Sequence, residues 1–143
     1  MSVLFDTSVL IAGLVEAHPD HRAAFPWIRR VHAGQVRGAV AAHSLAEAYA
    51  VLTALPHQPR ITPAAGLRLI EASVRRFRVV PLGARDYLMV VRALAEAGLP
   101  GGIVYDALVA RAADKSRAES ILTLNRRDFE RLKAVFDVRV TTP

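Results

Sequence analysis

Ser2-Val3-Leu4-Phe5-Asp6-Thr7-Ser8-Val9-Leu10-Ile11 begins as an apolar, strand-like run, stops on a carboxylate and restarts in residues that suit a helix. Two readings of Asp6 follow. Asp, Thr and Ser all cap helix N-termini by accepting from free backbone N–H groups. In an open parallel sheet, however, chemistry gathers where strands end and helices begin. The choice depends on whether other carboxylates occupy the same kind of position.

The 143 residues, 52 % hydrophobic, suit one compact domain that buries most of its apolar side chains. Cysteine is absent, which removes any disulfide framework or thiolate metal site and fits a reducing compartment. There is no basic segment leading into a signal-type core, and Glu, His or Arg interrupts each apolar run well short of a membrane span. A cytoplasmic protein with no membrane association is expected. The net charge of +6 and pI near 10.7 suggest an anionic partner such as nucleic acid. An arginine- and alanine-rich composition would give the same excess, so charge alone assigns no partner.

Beyond Val15, His18-Pro19-Asp20 marks a turn, and Asp20 to His32 carries Phe25, Trp27, Ile28 and Val31 among arginines, a surface helix with one buried face. Pro26 within it predicts a kink or a late start. Gly38-Ala39-Val40-Ala41 reads as a strand leading into a helix from Ser44 to Leu55, apolar nearly all round and expected to be largely buried. Glu47 is its only charge. Ser44-x-x-Glu47 has the form of a capping box, yet a carboxylate on the first turn after a strand also points to the sheet end that holds Asp6. Pro56-His57-Gln58-Pro59 makes a loop, and Ala64 to Arg76 returns to helical spacing through Leu67, Ile70 and Val74. Arg78 to Leu82 is a third strand, and Ala84 to Ala97 a helix with Leu88, Val91, Leu94 and Ala95 inward. Two glycines, Gly101 and Gly102, introduce a helix with Asp106 near its start, a position that also suits the helix dipole. Glu119 to Leu124 is a strand ending at Asn125, Arg126-Arg127-Asp128-Phe129 opens a short helix, and Val138 to Thr142 is a last strand. This alternation predicts an α/β fold with a parallel sheet and helices on its faces.

Asp6, Glu47 and Asp106 thus each follow a strand end or a glycine turn, and Asn125 with Asp128 occupies a fourth such junction. A doubly wound sheet would gather these junctions on one edge. Carboxylates brought together there must take up protons or be neutralised by a cation. An oxygen-only donor set favours a hard ion, Mg²⁺ or Mn²⁺, over Zn²⁺.

Phe5-Asp6-Thr7-Ser8, Glu47 in Leu45-Ala46-Glu47-Ala48-Tyr49, Gly102-Ile103-Val104-Tyr105-Asp106-Ala107-Leu108 and Thr123-Leu124-Asn125-Arg126-Arg127-Asp128-Phe129 together resemble the successive motifs of PIN-domain nucleases. The match is to the VapC-type toxins of bacterial toxin–antitoxin pairs, in order, and it spans essentially the whole chain. It implies a single domain over residues 1–143, a three-layer PIN-like fold with a central five-stranded parallel sheet flanked by helices. It also implies an Mg²⁺- or Mn²⁺-dependent endoribonuclease site that leaves a 5′-phosphate and a 3′-hydroxyl. Asp6, Glu47 and Asp106 match the acidic metal-binding positions. The fourth falls to Asn125, where many relatives carry Asp, or to Asp128. Asn can coordinate through its carbonyl oxygen but brings no charge for a second ion, so one or two metals remain open. Thr7, Ser8 and Thr123 would hold the acids by hydrogen bonds or serve as caps. Arg126, Arg127 and Arg111 are candidate RNA contacts, each equally able to sit in an ion pair. His43, near Glu47 in sequence, is a structural histidine or a group that titrates near neutrality. The resemblance further implies a small VapB-like antitoxin and a homodimer.

Two rival readings stay in view. A phosphohydrolase could use Asp6 as nucleophile, but its usual second Asp is Ser8 here and no lysine is well placed. A non-catalytic RNA- or protein-binding module could keep the fold with a metal site weakened at Asn125.

Overall fold

The computed structural model describes residues 1–56 and 58–143. The loop expected at Pro56 to Pro59 includes His57, which lies outside the described residues. Five parallel strands, β1 (Ser2–Phe5), β2 (Arg37–Ala41), β3 (Arg78–Val80), β4 (Ser120–Leu122) and β5 (Val140–Thr141), form one sheet in the order β3-β2-β1-β4-β5. Among the described residues, seven helices connect them: α1 (Thr7–Leu14), α2 (His21–His32), α3 (Ala42–Ala54), α4 (Pro63–Val74), α5 (Ala84–Glu96), α6 (Ile103–Ser116) and α7 (Arg126–Leu132).

β1 is central, and its Val3, Leu4 and Phe5 are apolar and buried because both faces of the strand are covered, as parallel strands require. Successive side chains point to opposite faces, and they join separate cores. Leu4 packs with Ala39, Val80, Ile121 and the inward residues of α6, while Val3 and Phe5 pack with Val40, Leu122, α1 and α2. Phe77 meets Phe5 edge-on, with ring centroids 4.8 Å apart. Gly38 permits this approach, since a Cβ there would lie 2.7 Å from Val31 and 2.8 Å from the Phe77 ring.

The chain leaves β1 on one side to build β2 and β3, then returns through α5 and α6 to place β4 on the other. The direction of winding therefore reverses beside the end of β1, the crevice where open α/β sheets bind ligands.

Expectations for three helices, α3, α4 and α5, need correction. α3 starts at Ala42, two residues early, so Ser44 lies inside the helix and forms no capping box; its hydroxyl is buried without a hydrogen bond. Only Ser44, Ala48 and Leu52 of α3 are buried, and Tyr49 and Val51 are exposed, because α3 packs along one side against α1 and α4. In α5 the inward residues are Asp86, Val90 and Leu94, not Leu88, Val91 and Ala95. Asp86 sets that phase by turning toward α6, where Arg111 and Lys115 meet it at 2.9 and 3.0 Å. In α4, Leu67 is likewise exposed while Gly66, Ile70 and Ser73 face inward. α2 runs from His21 to His32 with Pro26 inside it.

Candidate active site

Asp6 ends β1 and caps α1, so the capping reading of it holds. Its Oδ1 accepts from the Thr7 backbone N–H at 2.8 Å. Its Oδ2 accepts from the hydroxyls of Ser8 and Thr123, each at 2.7 Å. Ser8 Oγ in turn accepts from the Leu124 N–H at 3.1 Å, and Thr123 Oγ1 from the Asn125 N–H at 2.9 Å. Three of about four lone-pair directions on the carboxylate are thus taken by the protein, and one on Oδ1 is left for a ligand. Asp6 as a whole residue is 5 % exposed.

A cleft of about 420 Å³ opens over this group, lined by Asp6, Thr7, Ser8, Glu47, Asp106 and Asn125 with His18, Asp20, Ile11, Val51 and Leu124. Asp106 lies in the first turn of α6. Burial, followed by the charges of Asp6, Asp128 and Glu47, pushes its pKa up to about 7. Asp128, half-buried in the first turn of α7, therefore acts on the same group although it does not line the cleft. Burial and the Asp6 charge also raise Glu47, which stands exposed at the mouth. The fourth junction thus supplies both of its residues, Asn125 as a neutral wall and Asp128 as a charge behind Asp106.

Of the hydroxyls expected to support the acids, Ser8 and Thr123 touch Asp6. Thr7 offers its backbone N–H instead, and its buried hydroxyl, close to Glu47, makes no hydrogen bond of good geometry. His43 sits near Asp6 with both ring nitrogens buried and unpaired, and burial lowers its pKa against the pull of the Asp6 charge.

Arg111 is not brought to the cleft. Its guanidinium is held by Asp86 at 2.9 Å and by Asp114 at 2.6 Å, on the α5 side. Arg126 faces Glu130 at 3.5 Å, and Arg127 is exposed; neither lines the cleft. In sequence, His18 and Asp20 mark only a turn. The loop between α1 and α2 carries them to the cleft wall, where the Asp20 N–H donates to His18 Nδ1 at 3.0 Å. No spacing in the sequence marks them, because the loop's course is set by the packing of α1 on α2.

Among the described residues, no three of His, Asp and Glu are drawn close enough together to enclose an ion by themselves. The donor set is nonetheless that of a hard cation. It is built of oxygen and contains mutually repelling carboxylates, one of which stays protonated to about pH 7 without a counterion. Mg²⁺ keeps several of its waters and is commonly held by only one or two carboxylates, so a spread arrangement suits it.

A doubly wound parallel sheet with acids at its switch point defines the class. The chain belongs to the PIN-domain family, whose pattern matches residues 3–135. Within that family its likeness is to VapC proteins. It is 42 % identical over 115 residues to ribonuclease VapC27 of Mycobacterium tuberculosis, covering 80 % of this chain and 78 % of that protein. The VapBC-5 structure from M. tuberculosis, a member of the VapBC family of toxin–antitoxin systems, superposes with a TM-score of 0.61 at 27 % identity, covering 99 % of this chain and 98 % of that one. VapBC2 of Rickettsia felis, solved with a promoter DNA fragment, shares the fold at a TM-score of 0.72 and 18 % identity, covering 100 % and 99 %.

Proposed function

We propose that this chain is an endoribonuclease of the VapC type, the toxin of a VapBC-like pair, acting in the cytoplasm and dependent on Mg²⁺ or Mn²⁺. The observation that carries the reading is the meeting of Asp6, Glu47, Asp106 and Asn125, from four separate junctions, in one cleft at the switch point. The names of the relatives support the ribonuclease class. No helix among the described residues is long and apolar enough to cross a membrane.

Asp6 and Asp106 would hold the ion, with Glu47, Asn125 and Asp128 contributing through water or charge. When bound, it would lower the pKa of water and neutralise charge on the scissile phosphate. The side chains supply the rest. Ser8 and Thr123 fix the Asp6 carboxylate so that its free lone pair faces the cleft. Glu47 stands at the mouth with a raised pKa, suited to accept the proton of the attacking water. In-line attack of that water on phosphorus breaks the P–O3′ bond, and the departing 3′-oxygen takes up a proton from solvent, leaving a 5′-phosphate and a 3′-hydroxyl.

The VapBC complexes among the solved structures support a VapB-like antitoxin as partner. Tyr87, Leu88, Met89 and Val91 form an exposed apolar stretch on α5 that a second copy of the chain would cover, in keeping with a homodimer. The test compares the unsubstituted protein with Asp6→Asn and Asp106→Asn on RNA in Mg²⁺ or Mn²⁺. Cleavage should vanish in both variants and in excess chelator. Equal cutting by all three, or indifference to chelator, would reject the site.

A further inference from the structure

The opposite end of the sheet carries a second feature, opposite in charge. A cavity of about 650 Å³ lies where the strands begin, and four arginines, Arg37, Arg76, Arg78 and Arg117, line it without any acid. Arg37 opens β2, Arg78 opens β3, Arg76 lies between α4 and β3, and Arg117 caps α6. Arg78 is in register with Ala39, two residues beyond Arg37 on the neighbouring strand. Side chains alternate along strands, so Arg37 and Arg78 point to the same face, as diagonal neighbours roughly 8 Å apart.

None of the four arginines forms an ion pair among the described residues. Asp114, Glu119 and Asp137 line the next groove, beyond Arg117. Cations near helix ends have an ordinary explanation, because they complement the C-terminal dipole. α2 and α6 do end here, and Arg117 serves that purpose. Arg37 and Arg78 belong to strands and cap nothing. Like charges left unpaired on one face cost stability, and an anion relieves that cost.

We propose that this cavity is an exosite for the RNA substrate, in which the guanidiniums hold phosphates several nucleotides away from the cleaved bond. The proposal rests on the ribonuclease reading. Guanidinium forks match phosphate oxygens in geometry and charge. RNA is also the polyanion that the proposed reaction brings to this surface. β1 joins the two sites, with Ser2 in the basic cavity and Asp6 just past its other end. Four residues of strand separate them by about 13 Å through the sheet, and by more around the surface. Only a substrate of several nucleotides can occupy both.

The experiment uses the full chain carrying Asp6→Asn, without divalent metal, so that RNA is bound and not cut. Arg37→Gln/Arg76→Gln/Arg78→Gln is compared with Arg22→Gln/Arg68→Gln/Arg92→Gln, which removes the same charge from other exposed positions. Binding of a 40-nucleotide RNA is measured against salt concentration. The cavity triple should weaken binding roughly ten-fold or more and flatten the salt slope by about 2, the expectation for three lost phosphate contacts on a single strand. The control triple should change both far less. Lysine at the same three cavity positions should restore the slope, which a folding defect would not allow. In the active protein, the cavity triple should raise KM for long RNA and leave cutting of a trinucleotide unchanged.

Equal losses in the two triples, or no loss in the cavity triple, would overturn the exosite. So would intact RNA binding with lost binding of an acidic peptide, which would assign the cavity to a protein partner. Failure of the unsubstituted protein to cut any RNA would remove the substrate role. The binding comparison would still decide whether RNA sits here.

Discussion

Thr123 and Asp6 are 117 residues apart in sequence, and the Thr123 hydroxyl donates to Asp6 Oδ2 at 2.7 Å. That bond joins the ends of β4 and β1 and fixes the carboxylate on which the cleft is centred. Thr123→Val keeps the shape, removes one of the two hydroxyl donors on Oδ2 and deprives the Asn125 N–H of its acceptor. Metal affinity should fall about 10- to 100-fold, the usual effect of losing a group that orients a ligand. Isothermal titration with Mn²⁺ measures it, and unchanged affinity would show that Ser8 suffices.

A proton held on Asp106 should make the proposed metal binding depend on pH. Its pKa in the fold, about 7, lies above its ordinary value of 3.8. The folded chain therefore holds more protons than the unfolded chain between those values. By linkage, the stability from this group is full below about pH 4 and is lost as pH rises toward and through 7. Thermal melting of the metal-free protein should show that decline, and Asp106→Asn should flatten it. A divalent ion favours the charged carboxylate, so its binding near pH 6 should release a proton. Calorimetry in buffers of different ionisation enthalpy detects the release.

Asp86 has the opposite dependence. The Gly83 N–H, then Lys115 and Arg111, hold its pKa down at about 2. Its contribution is present above the ordinary carboxylate value and is lost as pH falls toward 2. Asp86→Asn leaves Arg111 and Lys115 without this partner and should cost about 2 kcal/mol, the scale of hydrogen bonds to charged groups. Urea unfolding at pH 7 tests this. RNA cleavage, where the protein is still folded, should be unaffected.

Gly38→Ala places a methyl group against Val31 and the Phe77 ring. Overpacking of this kind costs about 1–3 kcal/mol. A melting temperature equal to that of the unsubstituted protein would mean that Phe77 moves aside at no cost.

The strands and the order of their junctions were legible because they depend on local pattern. β1 is a continuous apolar run that stops on Asp6, and the glycines before α6 announce Asp106. What stayed hidden depends on partners distant in sequence. Leu88 and Val91 have the spacing of buried residues, but Asp86 turns α5 to satisfy two cations on α6. Arg111 resembles an RNA contact until its two carboxylates are seen. His18 and Asp20 reach the cleft through a loop whose path no periodicity encodes. The basic cavity has no sequence signature for the same reason, since its arginines come from four segments and meet only once the strands are aligned.

The strand order also has a consequence in time. β1 is made well before its neighbour β4, which enters the sheet only after some 115 residues have followed it. Until then Asp6 lacks the Thr123 hydroxyl, and Asn125 is absent from the cleft wall. A growing chain on the ribosome therefore carries Asp6 for more than a hundred residues before it can supply the Thr123 hydroxyl that fixes the carboxylate.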